Sequence, residues 1–465
     1  MEWKKLLSNQ RLSGKVGPYR NEFDDDYKRI ITSPAFRRLQ DKTQVFPLER
    51  NDFIHTRLTH SLEVAMIGRS LVKDIVAGLE EELATKANSH LTQSKLEMVE
   101  HVDEIARIIE CAGLLHDIGN PPYGHFGEDS IRQWFKLRLP KFLPKDDPIS
   151  KQLLDSPFIH DLYNFDGNAQ TLRTITKLHE FKGVFDGMDL TMATMNSIIK
   201  YTRLSDQEPG KDIASKKMGY FYAERDIYER ISQATGAVNV RHPLTFILEA
   251  ADDIAYLVAD IEDAINKGIL RFSDVRKALL ENLTEDTNKA LFSVQIRQLL
   301  DDSYRDDFSI NRFFVELRNK LTSSAQHSFI QHYGDIMEGT YQEDLFYQSW
   351  AADLYNCLRE ISTNYIYDHK NVLRLEISGY TTLTSLLETF IPPLIKYDTG
   401  ATLSYVDQKL IKLISDSQKA SYHYFSQHKT PVEKLYLRML LATDFISGMT
   451  DSYAQNLYLN LQGIK

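Results

Sequence analysis

Ile105, Ile108, Ile109, Ala112 and Leu115 recur at helical spacing and then give way to a polar pair, His116-Asp117. One face of that segment must be buried, and Gly119 followed by Pro121 and Pro122 ends it. An imidazole beside a carboxylate at the end of a buried helix is costly to desolvate unless something binds both. A divalent ion does so, because neutral imidazole and carboxylate are among its ordinary donors. The rest of the chain has to fold so that such a pair is served.

Two adjacent residues cannot complete a coordination sphere, and two other segments offer the remainder. Thr56-Arg-Leu-Thr-His60-Ser-Leu-Glu-Val reads as a helix with His60 near its start, and residues 243–260 read as an apolar helix interrupted by Asp252 and Asp253. A lone His-Asp dipeptide is mostly surface or a satisfied cap. Here, however, the order His, His-Asp, Asp resembles the HD phosphohydrolase superfamily. Three blocks closely match bacterial deoxyguanosine triphosphate triphosphohydrolases: Arg57-Leu-Thr-His60-Ser-Leu-Glu-Val, Gly119-Asn120-Pro-Pro-Tyr-Gly-His125-Phe-Gly-Glu128 and Glu249-Ala-Ala-Asp252-Asp253-Ile-Ala-Tyr256. The resemblance spans most of the chain.

The expected fold is all-α: an HD-type catalytic bundle over residues 1–290 and a helical region over 291–465 that completes the pocket and builds oligomer contacts, with at most a minor β hairpin in the inserts. The expected ligands of one divalent ion per subunit are His60, His116, Asp117 and Asp252, with Mn, Mg, Fe and Co all compatible with that donor set. Asp253 is the alternative to Asp252; Asp252 is preferred because Tyr256 and Asp260, at i+4 and i+8, share its face. Arg57 stands one turn before His60 and suits a phosphate oxygen. His125 and Glu128, three apart, form the expected acid/base pair, since a carboxylate orients an imidazole and raises its basicity. Whether His125 activates water or protonates the sugar 5′-oxygen is open, and the competing role for Glu128 is a helix cap.

The resemblance implies further contacts. Gln44 and Asp260 would bond the 3′-hydroxyl, Val45 would lie against the base, and the Tyr256 ring would pack under the sugar and leave no room for a 2′-hydroxyl. Asn120 would sit near metal and phosphates, and Asn168 would line the site or hold a loop-to-helix junction. Lys200, Tyr201 and Lys217, with Lys216 the alternative to Lys217, would hold the triphosphate. Glu376 is a candidate guanine reader, because a carboxylate accepts from N1–H and the 2-amino group together; its plain alternative is a salt bridge, for instance with Arg374.

Formal net charge is −10 over 465 residues, which argues against general duplex coating and requires a local basic pocket for a polyanionic substrate. The two cysteines, Cys111 and Cys357, lie in apolar helical text and read as core residues of a reducing compartment. No stretch reads as membrane-spanning or as a secretory signal, so the expected location is cytoplasmic. Residues 79–101 read as a helix end and a solvated connection with His90 and His101 exposed, and 137–157, rich in Pro and Lys, as a loop or insertion. The expected partners are dGTP or another dNTP and further copies of the chain, a hexamer among the options, with a single-stranded DNA effector left open. Two rival functions stand: HD-type hydrolysis of other nucleotides, and a nucleotide or single-stranded nucleic-acid sensor.

Overall fold

A computed structural model describes residues 1–15, 21–48, 54–85, 91–179, 185, 187–282, 296–300 and 307–464. Among them every regular element is helical, and β-type contacts are isolated bridges: Arg11 with Thr191, Thr43 with Thr56, Arg203 with Met218. The chain is all-α, and the minor hairpin is not found among the described residues.

The helices that position the site are α1 (Pro34–Arg38), α2 (Arg57–Thr85), α3 (Val102–Leu115), α4 (Gly124–Leu137), α5 (Gly167–Lys177), α6 (Pro243–Asn266), α7 (Asp307–Gln331), α8 (Lys370–Lys396), α9 (Asp416–Phe425), α10 (Pro431–Ser447) and α11 (Asp451–Leu461). Their starts follow from local chemistry. Ser33 accepts from the Phe36 amide with Pro34 in the first turn of α1, and His242 and Pro243 open α6 in the same manner. Asp166 caps α5.

α2, α3 and α6 pack on one another, and α7 lies against α2 and α6. The α2–α3 approach is close: a Cβ on Gly113 would lie 2.6 Å from the Ala65 backbone. Only glycine permits that spacing, which brings the start of α2 beside the end of α3. Ile105, Ile108, Ile109, Ala112 and Leu115 are all buried there.

A second apolar cluster gathers α4, α8 and α10 around Trp134, Phe135, Phe390 and Leu440. The first cluster runs from Trp3 to Val372, while the second combines residues of the 123–221 region with others between 383 and 454. The boundary expected near 290 falls within 283–295, outside the described residues.

Residues 137–157 are not the loop that their prolines suggest. Short helices form over Leu139–Phe142 and Pro148–Leu154, each with proline in its first turn. Proline is tolerated there, where its missing N–H has no intrahelical partner to lose. Leu139, Leu143 and Leu153 are buried in the second cluster, so the segment is held by packing. In the 79–101 stretch, α2 continues to Thr85 and a helix resumes over Thr92–Glu100; His90 lies outside the described residues, and His101 is half-exposed on Glu104. Cys111 and Cys357 are buried and unpaired. No helix among the described residues is long and apolar enough to cross a membrane.

Candidate active site

His116 is the residue on which α3 ends. Its Nδ1–H donates to the Gly113 carbonyl at 2.7 Å, which leaves the Nε2 lone pair facing inward. That nitrogen is buried and has no hydrogen-bond partner. It lies 3.4 Å from Asp252 Oδ1, and His60 Nε2 lies 3.1 Å from the same oxygen. Asp252 comes from the middle of α6, so three helices each deliver one donor. Together His60, His116 and Asp252 form a group that could hold a metal ion. Adjacent donors around an ion bound at about 2.1 Å sit about 3.0–3.4 Å apart, so the donor set and its spacing fit. The unsatisfied Nε2 is what such an ion would satisfy.

Asp117 stands apart from that trio. Its Oδ1 lies 3.5 Å from His116 Nε2 but accepts from Asn120 Nδ2 at 2.7 Å, and its Oδ2 is paired with the Arg57 guanidinium. Burial would push this carboxyl up; Arg57 and the two imidazoles outweigh it and hold the group well below the usual carboxylate range. Gly124 makes room for Arg57: a Cβ there would meet Nη2 at 2.5 Å. Lys200 donates to Asp252 Oδ2 at 2.7 Å. Asp253 points elsewhere, accepting from the Tyr355 hydroxyl at 2.8 Å.

His125 and Glu128 face each other on the first turn of α4. His125 Nδ1 lies 3.1 Å from Glu128 Oε2, and this bond raises the imidazole's basicity. The His125 side chain is 80% exposed and that of Glu128 is 2% exposed. The other Glu128 oxygen accepts from the Gly167 amide, the first of α5, at 2.6 Å. Glu128 therefore does both jobs weighed for it: it orients His125, and it satisfies a helix N-terminus, of α5 rather than α4.

An HD-domain family model matches residues 57–143. Two proteins called deoxyguanosinetriphosphate triphosphohydrolase-like, from Listeria innocua and Listeria monocytogenes, are each 42% identical to this chain over the whole of both sequences. A deoxyguanosinetriphosphate triphosphohydrolase from Enterobacter sp. is 33% identical over 95% of this chain and 94% of its own length. The chain belongs to the deoxyguanosinetriphosphate triphosphohydrolase family.

The remaining family-like residues have surroundings of their own. Asp260 is buried two turns beyond Asp252; burial pushes its carboxyl up to about 7, although it accepts from the Tyr367 hydroxyl at 2.7 Å. Tyr256 shares the contact with Tyr367. Gln44 Oε1 is buried without a partner, and Val45 packs on the first cluster. Tyr201 is buried, with Lys216 Nζ 5.9 Å and the Arg241 guanidinium 5.8 Å from its ring centroid. Lys217 is half-exposed, 3.9 Å from Asp166 Oδ2. Asn168 is the junction residue of the two readings, its backbone and side-chain amides both donating to Asp166 Oδ1. Glu376 is half-buried on α8 with no ion pair among the described residues.

Three contributors went unmarked in the sequence. Tyr367 ends a π-helical turn over Ser362–Tyr367, a distortion that recurs at functional sites. Lys42 is buried with Nζ on the carbonyls of Asn120 (2.5 Å) and Ser447 (2.6 Å). Asp451, the first residue of α11, accepts from the Thr43 amide and hydroxyl and from the Tyr123 amide. Tyr367 and Asp451 lie in stretches, 367–380 and 444–454, that resemble the family without showing a role for either residue, while nothing local marks Lys42.

Proposed function

We propose that this chain hydrolyses deoxynucleoside triphosphates, dGTP preferred, to the deoxynucleoside and inorganic triphosphate. The observation that carries the reading is the convergence of His60 Nε2, His116 Nε2 and Asp252 Oδ1 from three helices, next to an exposed histidine oriented by a buried glutamate. The names of the relatives, all triphosphohydrolases of this nucleotide or proteins like them, support it.

One divalent ion, Mn, Mg, Fe or Co, would be held by His60, His116 and Asp252, with Asp117 as fourth ligand once substrate draws Arg57 onto a phosphate oxygen. Bound there, it supplies charge neutralisation at the α-phosphate and a more acidic water. Arg57, Lys200 and Lys217 offset triphosphate charge, and Lys200 exchanges Asp252 for phosphate oxygens. His125, kept basic by Glu128, moves the proton between water and the 5′-oxygen. Asn120 keeps Asp117 oriented. Gln44, Tyr256 and Asp260 hold the deoxyribose with Val45 by the base, Tyr201 backs the phosphates, Asn168 shapes their wall, and Glu376 reads guanine. Residues 1–290 serve as the catalytic part and 291–465 as the part that closes the pocket, in a cytoplasmic homo-oligomer.

Product analysis tests the reading. The four dNTPs are incubated with Mn or Mg and the products separated by ion-exchange chromatography. Deoxynucleoside and triphosphate in equal amounts are expected, fastest from dGTP. Orthophosphate, pyrophosphate or a monophosphate as first product would move the chain to other HD-type phosphoester chemistry, and binding without turnover would make it a sensor.

A further inference from the structure

A second cavity, of about 200 Å³, lies behind the Ile118-Gly119 turn and contains none of the residues assigned above to substrate or metal. It is walled by α1, α5, the start of α9 and the end of α10. Two basic side chains line it: the Arg38 guanidinium, and Lys42, whose amine burial pulls down to about 7, so that an anion beside it favours its charged form. Arg38 has no ion-pair partner among the described residues, and Lys42 spends two of its three N–H groups on the Asn120 and Ser447 carbonyls. His179, also in the wall, adds no charge, because burial and Arg38 hold its imidazole down at about 4. The Asp444 carboxylate is already neutralised by a two-pronged bond from Arg173.

Two buried oxygens in the same wall lack partners: Gln170 Oε1, on a residue 1% exposed, and Ser447 Oγ, on a residue 3% exposed. The Gln170 amide cannot usefully turn over, since its Nε2 donates to Asp444 Oδ1 at 2.9 Å. The cavity therefore asks for an anion that also carries a proton to give. Its volume is below the roughly 300–1,000 Å³ of sites for larger organic ligands and holds roughly six or seven water volumes.

We propose that this cavity is a binding site for inorganic phosphate, recognised in its protonated form. The anion takes Arg38 and the third Lys42 N–H, its P–OH donates to Gln170 Oε1, and the Ser447 hydroxyl completes the shell. Sulfate has the same shape and no proton at neutral pH, so it leaves Gln170 unsatisfied. Lys42 joins the site to Asn120, which in turn holds Asp117; occupancy is thereby transmitted to the turn beside the His–Asp cluster. The assignment does not depend on the proposed reaction.

The test is calorimetric titration of the full chain with inorganic phosphate and, separately, sulfate. Wild type, Arg38→Gln and Lys217→Ala are compared, with thermal melts to show that each is folded. Phosphate should bind wild type and Lys217→Ala alike, sulfate should bind about tenfold or more weakly, and Arg38→Gln should weaken phosphate about tenfold or more, the loss of one charge-assisted bond. Absence of phosphate binding to wild type, or unchanged affinity in Arg38→Gln, overturns the proposal. So does loss of binding in Lys217→Ala, which puts the ion in the main cleft, or sulfate binding as tightly as phosphate.

Discussion

Gly167→Ala separates geometry at the cleft from stability of the fold. Gly167 begins α5 and its φ is not positive, so alanine meets no backbone strain and reduces unfolded-chain entropy, a gain of about 0.4–1 kcal/mol where nothing else intervenes. Here something does. The new Cβ would stand 2.0 Å from Asn120 Oδ1 and 2.7 Å from Glu128 Oε1, where real contacts start at 3.0 Å; Asn120 must give about an ångström and Glu128 a few tenths. Both side chains must withdraw. The bonds at stake are Gly167 N–H to Glu128 (2.6 Å) and Asn120 Nδ2–H to Asp117 (2.7 Å). A hydrogen bond to a charged group is worth about 1.5–3 kcal/mol, and a misplacement of about 1 Å near reacting groups costs about 10²-fold. The expected fall in kcat for dGTP is therefore about 10²-fold, with KM within about threefold because no substrate contact is removed. Steady-state triphosphate release, alongside a melting curve, measures it. A normally folded Gly167→Ala with kcat within about threefold of wild type would refute the claim that this amide and Asn120 set the catalytic carboxylates.

His60→Ala should lose bound metal and turnover together, read by elemental analysis after dialysis; wild-type metal content would exclude His60 as a ligand. Glu376→Gln should erode the preference for dGTP among the four dNTPs, and an unchanged ranking removes Glu376 as guanine reader. Tyr367→Phe removes the donor to Asp260, and should raise KM for deoxynucleotides with kcat little changed; the reverse split would place Tyr367 in the chemistry. His55 is held up at about 10 by the hydrogen bonds its ring nitrogens donate to Asp263 and Glu63, against an ordinary 6.5. Its contribution to stability is complete below pH 6.5 and drains as pH rises through about 10. Urea midpoints should fall across that window in wild type and be flatter in His55→Gln; parallel slopes would discard the assignment.

The helical class and the sequence neighbourhood of the trio were legible because motif residues sit on long helices with clear apolar faces, where spacing translates directly into direction. His60, His116 and Asp252 needed only that their helices touch, and Gly113 in the apolar text permits the touch. The environment of Asp117 was not legible: that one oxygen faces Arg57 and the other Asn120 depends on the path of the turn after α3, which sequence spacing does not fix. Lys42 was opaque for a different reason. Its partners are main-chain carbonyls 78 and 405 residues away, and a carbonyl carries no sequence signature. Pro148 misled because proline reads as a breaker unless the first turn of a helix is recognised around it.

Asp451 joins two distant segments from one late position in the chain. Its carboxylate fastens both the segment leading to Gln44 and the turn leading into His125, yet it comes after every residue assigned to substrate. A ribosome that has already released all of those residues has not made a finished pocket. The proposed activity should therefore appear only once α11 is synthesised and docked.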